Sequence, residues 1–287
     1  MIYEIICGDI SAKINTLGAE LISLKKNGTE YMWDADKRYW DSSAPVLFPV
    51  CGRLLDQSYT YKGKEYKMDP HGFAPNSEFS PTRVEKNRLT LSLCSDENTK
   101  KIYPFDFELI ADFELEDDLA VTFTVRNTGD DVLPYMMGWH PGFYLHGDGE
   151  INSFSLKFNA GETLLWYPLQ NGCFVRPYGE DYAAPNGTYQ LSEDEIYSND
   201  TMIFCGTGGK ALLSSPDTKY GLEISYSENL PYFCIWKETD SKARFICLEP
   251  WSDVPAGGDV PECFDDRRMS RLPSGDSSDY SYRVRLI

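Results

Sequence analysis

Positive charge is scarce in this chain: 27 lysines and arginines stand against 45 aspartates and glutamates, a balance of −18. A surface of that average sign repels phosphate backbones and anionic headgroups, which argues against nucleic acid or a membrane as partner. Long apolar runs are missing as well. No window approaches the roughly 20 residues of a membrane helix, and the opening Met1–Gly8 has neither the basic flank nor the apolar core of a secretion signal, so a cytoplasmic location is expected. The eight cysteines (Cys7, Cys51, Cys94, Cys173, Cys205, Cys234, Cys247 and Cys263) are scattered singly. Without C-x-x-C pairs they read as reduced thiols, several of them buried as small hydrophobes, and not as a zinc or redox site. Histidine occurs only three times. Also absent are any stretch of twelve or more residues with apolar side chains at i, i+3, i+4 and i+7, any Pro/Gly/Ser linker, and any internal repeat.

What is present is period two. Arg88–Cys94, Ala120–Arg126, Gly221–Ser227 and Tyr280–Ile287 alternate apolar and polar residues, the signature of strands with one buried face. Asn27-Gly28 and Lys62-Gly63 sit between strand-like runs as hairpin turns, so sequential strands should pair antiparallel. At best Leu191–Tyr197 makes a short helix. With 41% hydrophobic and 14% aromatic residues in 287, the chain can bury a sizeable core. Strand signals run from end to end, so the expectation is one all-β domain over 1–287, too many strands for one twisted sheet and therefore a large antiparallel β-sandwich.

Four segments break that pattern: Ala44–Arg53, Asp69–Phe73, Gly138–Phe143 and Cys247–Trp251. Each sets an ionisable side chain beside proline, glycine and a large aromatic, as a rigid, partly desolvated pocket wall requires. Two of the three histidines, His71 and His140, fall in them. His146, in a polar run, reads as a solvated loop residue. The plainer accounts remain open for each candidate: a backbone-bonded turn histidine for His71 and His140, an edge-strand cation for Arg53, a turn acceptor for Asp200, a solvent-facing strand-end carboxylate for Glu249. The apolar neighbours of Glu249 argue for enclosure, and an enclosed carboxylate is the stronger proton acceptor. His71, His140 and Glu249 could in principle ligate a metal, but no H-x-H or H-x-x-x-H spacing supports it and no metal is expected. No G-x-S-x-G elbow or Cys–His motif signals a nucleophile.

Taken together, Phe48–Arg53, Pro70–Ala74, Gly138–Phe143, Asn199–Phe204 and Cys247–Trp251 make the chain resemble the aldose 1-epimerases, or galactose mutarotase-like proteins, and more closely their shorter LacX-type branch. The resemblance spans nearly the whole chain and implies a β-supersandwich, in keeping with the strand reading. By motif it implies His140 as general acid and Glu249 as general base, with Arg53, His71 and Asp200 holding the hydroxyls and ring oxygen of a monosaccharide. Two departures touch the site: Pro75 where many relatives carry arginine, and Gly142 where many carry an aromatic.

Interconverting the α and β anomers of an aldose needs one acid and one base and no cofactor. A sugar also presents apolar C–H faces, for which Trp139, Phe143 or Trp251 are the expected partners. Two other functions remain open. A hexose-phosphate mutarotase would need added cations, of which the matched segments offer only Arg53. A catalytically silent carbohydrate-binding or regulatory protein would need no acid–base pair. Oligomeric state is not written in the sequence.

Overall fold

Alternation does what it should in the strands Phe107–Leu115 and Leu119–Asn127, where every second side chain is buried and the next faces outward. They pair with each other, then with Arg88–Cys94 on one side and Ser277–Leu286 on the other. The resulting nine-stranded antiparallel sheet also takes in Leu222–Tyr226, Lys210–Ser214, Ser155–Phe158 and two short edge strands. The computed structural model describes every residue except 148–149, 171–173, 176–177, 241, 256 and 258–261, and the side chains of 170 and 174–175. Cys173 therefore lies outside the described residues.

A second, eight-stranded sheet carries Glu180–Ala183, Thr163–Trp166, Thr201–Cys205, Tyr232–Trp236 and Phe245–Trp251 in that order, ending in the short pieces Gly138–Trp139, Gly142–Tyr144 and Val46–Leu47. Aromatic contacts show the inner faces of the two sheets meeting. Trp139 of the eight-stranded sheet packs on Phe123 and Tyr282 of the nine-stranded one, and Phe233 on Phe158 and Tyr226. Fully burying side chains of this size contributes roughly 1.5–3 kcal/mol each. The fold is thus the expected all-β antiparallel sandwich, with an N-terminal four-stranded sheet spanning Ile2–Glu30. Among the described residues one strand pair, Glu262–Cys263 against Ser58–Tyr61, runs parallel, and Phe48 and Gly72 form an isolated parallel bridge.

Both hairpin turns form where expected: Asn27-Gly28 and Lys62-Gly63 take positive φ at both residues, the geometry that matches strand twist. The helix lies at Glu193–Asn199, two residues later than its apolar spacing indicates. The shift follows the cap, since the Ser192 hydroxyl accepts from the Glu195 amide. Cys51, Cys234 and Cys247 are buried free thiols. His146 is not a solvated loop residue: its ring packs on Tyr31 and Tyr220, and its buried Nε2 has no partner. No helix among the described residues is long and apolar enough to cross a membrane.

Candidate functional site

The strand Phe245–Trp251 is buried on both faces. Its even residues, Ile246 and Leu248, belong to the main core, while Phe245 and Cys247 join a separate cluster with Trp33 and Ala243. Glu249 shares the parity of that second face. The register places Gly142 opposite Cys247 and Gly138 opposite Trp251, so His140, between those two short neighbouring pieces, falls opposite Glu249. Residues directly opposed across an antiparallel pair bring their side chains together on one face. Here the His140 Nε2 lies 3.3 Å from Glu249 Oε2. Two residues far apart in the chain become nearest neighbours because the sheet aligns them.

Other elements bring further groups to the same face. Cys234 pairs with Glu249 and Ile203 with Cys234, so Trp236, Thr201 and Ile203 project to the site side of their strands. Asp200 ends the short helix with φ of 63°, a strained conformation held just before Thr201. His71 is also held at φ of 63°. Its amide donates to the Gly52 carbonyl at 2.8 Å, and the Gly52 amide donates to His71 Nδ1 at 3.2 Å. That second bond leaves the His71 proton on Nε2, and it anchors the loop that presents Arg53.

These groups surround a cavity of about 310 Å³ whose wall includes Arg53, His71, His140, Asp200 and Glu249. All five expected site residues therefore meet in one place. Of the aromatics expected against a sugar only Trp251 is there. Trp139 and Phe143 have the opposite parity to His140 and are wholly buried in the core, where the Trp139 indole donates to the Ala44 carbonyl at 3.1 Å. Trp40 and Trp236 take that place. Their rings lie 5.0 and 5.7 Å from the His140 ring. Parity along 138–143 carries a signal that separates Trp139 from His140; nothing local marks Trp40, which comes from an irregular loop and is tied there by Trp33 Nε1 donating to its carbonyl at 2.9 Å.

Glycine makes the space for two of these indoles. A Cβ on Gly138 would stand 2.7 Å from Trp251 Cδ1, and one on Gly142 would stand 2.8 Å from Trp40 Cζ3. Gly142 is thus the position where an indole from elsewhere fills the room a side chain would take. Pro75, the other departure from the family pattern, lies in a short turn over Ala74–Asn76 outside the cavity wall.

Electrostatically the floor is desolvated. Burial pushes Glu249 well above the usual carboxylate range, with the Trp251 indole acting in the opposite direction. Neither Glu249 oxygen has a hydrogen bond of good geometry, nor do His140 Nδ1 and Trp251 Nε1. Burial, and then the neighbouring His71, holds His140 well below 6.5. His71 falls to about 4 through burial and the Arg53 charge, so it is a neutral donor at pH 7. Desolvation raises Asp200 against the pull of Arg53. A pair so enclosed resists carrying a net charge, and the arrangement suits one proton shared between imidazole and carboxylate.

A family model described as aldose 1-epimerase matches residues 1–255. The plasmid-encoded protein LacX of Lactococcus lactis subsp. lactis is 27% identical over 299 aligned residues, covering 97% of each chain. A galactose mutarotase related enzyme from Lactobacillus acidophilus superposes with TM-score 0.92 at 29% identity, covering 100% of this chain and 97% of its own. A galactose mutarotase-like protein from Lactobacillus casei gives TM-score 0.92 at 26% identity, with both chains covered in full.

Proposed function

The chain belongs to the aldose 1-epimerase family, and from that premise we propose that it interconverts the α and β anomers of a free monosaccharide, with Glu249 as base and His140 as acid. The observation that carries this reading is the 3.3 Å approach of His140 to Glu249 on the cavity floor. The two atoms that exchange protons in mutarotation, the C1 hydroxyl oxygen and the ring oxygen O5, are both bonded to C1. Their catalysts must therefore be neighbours, and these two are.

The reactive form of the pair has its shared proton on His140. Glu249 takes the proton from the C1 hydroxyl, the electron pair left on that oxygen forms the carbonyl, the C1–O5 bond breaks, and O5 receives the His140 proton. After rotation about C1–C2 the ring closes on the other carbonyl face. O5 returns its proton to His140 while the carbonyl oxygen takes the proton from Glu249, so the pair ends as it began. The net charge of the pair is unchanged throughout, which suits a site where ionisation is costly. No cofactor enters this scheme.

Arg53 and the Nε2 of His71 are donors and Asp200 an acceptor for sugar hydroxyls, while Trp40, Trp236 and Trp251 offer apolar faces to its C–H bonds. Among the described residues Arg53 is the one cation in the cavity wall. A phosphorylated sugar calls for more, so a free sugar is the better fit. A silent binding protein has no use for a buried carboxylate whose oxygens lack hydrogen bonds, which costs stability. The test is NMR exchange spectroscopy on equilibrated glucose, galactose and other aldoses with catalytic amounts of protein. Accelerated α–β exchange is expected for at least one sugar; ligand binding with no acceleration for any would end the proposal.

A further inference from the structure

Behind the cavity wall, beside His140 and Glu249, lies one more ligand-type atom, which the proton-transfer scheme leaves unused. Cys247 lies two residues before Glu249 on the same strand, so the two side chains share a face. Its register partner is Gly142, which puts no side chain of the opposite strand between thiol and imidazole. One ring nitrogen of His140, one carboxylate oxygen of Glu249 and the Cys247 sulfur all lie within 4.8 Å of one another. Glu249 and Cys247 are both at 0% exposure, and neither carboxylate oxygen has a hydrogen-bond partner. His71, the third ligand that sequence alone brings to mind, is not part of this trio.

We propose that His140, Glu249 and Cys247 form a binding site for a borderline-soft divalent cation of the zinc class, with its remaining position open toward the cavity. Imidazole, carboxylate and thiolate in one set match what zinc and cadmium prefer; magnesium and calcium take all-oxygen shells. Carboxylate and thiolate balance the two charges of the ion, which allows the set to stay buried. Binding draws the trio inward, since zinc holds nitrogen at about 2.0–2.1 Å and sulfur at about 2.3 Å. Two protons leave to solvent as the metal bonds form, one from the thiol and the one shared by His140 and Glu249. An ion seated there occupies both proton-transfer groups at once, so zinc inhibits anomer exchange; that inhibition rests on the mutarotase reading, whereas occupancy of the site does not.

The full chain, reduced and freed of metal with a chelator, is titrated with cadmium and then with competing zinc. A thiolate-to-cadmium charge-transfer band saturating at about one equivalent is expected, and Cys247→Ser should lose it and weaken zinc binding by at least ~10-fold. Cys247→Ala serves if the serine variant does not fold. Absence of the band in the wild type, or a band of equal size in the Cys247 variant, overturns the proposal. A chain that binds cadmium through Cys247 yet never accelerates anomer exchange supports the metal site and removes the mutarotase reading instead.

Discussion

Two strands of this molecule are both well buried and yet built for opposite ends. Phe107–Leu115 alternates, with its inward side chains in the core and its outward ones satisfied: Arg88 donates to Asp112 at 2.8 Å, Thr90 to the same carboxylate at 2.6 Å, and Arg126 to Glu108 at 2.9 Å. Phe245–Trp251 is buried on both faces, and the polar group it carries inward, Glu249, has no hydrogen-bond partner. The first strand shows what a sheet does when stability alone sets the pattern. The second carries a polar group left without hydrogen bonds in the wall of a cavity, where the proposed substrate would supply what is missing, at a cost to stability.

The sharpest way to break this contrast is Glu249→Gln, which should lower anomer exchange by about 10²–10⁴-fold while leaving thermal stability equal or higher. A stability loss with activity retained would mean that Glu249 is a structural residue. The reciprocal change is Phe113→Ala in the nine-stranded sheet, expected to cost roughly 3–5 kcal/mol in urea unfolding and to leave turnover per folded molecule unaltered.

Titration separates the regions next. For His71, held at about 4 in the fold against 6.5 for an unperturbed imidazole, the unfolded chain takes up the proton first as pH falls. Stability should therefore decline on acidification between 6.5 and about 4. Glu249 acts in the other direction: its raised value means the unfolded chain loses its proton first, so its contribution falls as pH rises above 4.5. Urea unfolding across pH should show both slopes, with His71→Asn flattening the acid side and Glu249→Gln the other; an unchanged profile in both variants would contradict the burial described here. The smallest effect belongs to the outward pairs: Asp112→Asn, breaking a partly exposed ion pair, should change stability by less than ~1 kcal/mol and activity not at all.

Period two made most of the fold legible, because an alternating strand must bury one face, and Arg88–Cys94 forms with the very limits its pattern indicates. The site was legible in part. Proline, glycine and aromatic residues around His71, His140 and Glu249 mark walls, and those walls do converge. The pairing of His140 with Glu249 is a matter of strand register, which no local pattern encodes. Trp40 was invisible for a related reason: an irregular loop reaches the site by tertiary packing, and its sequence has no period to read. Trp139 and Phe143 stand beside His140 in sequence but not in space, because their parity along the strand turns them into the core.

Gly138 and Gly142 flank His140, each holding open the room that an indole occupies. The two hydrogens at those α-carbons act as vacant settings on a lock. One added carbon at either would force Trp251 or Trp40 to find another seat, and so reshape the cavity beside His140 and Glu249. On the proposed function, a single methyl group at either glycine, neither of which lines the cavity, would therefore be enough to retune selectivity.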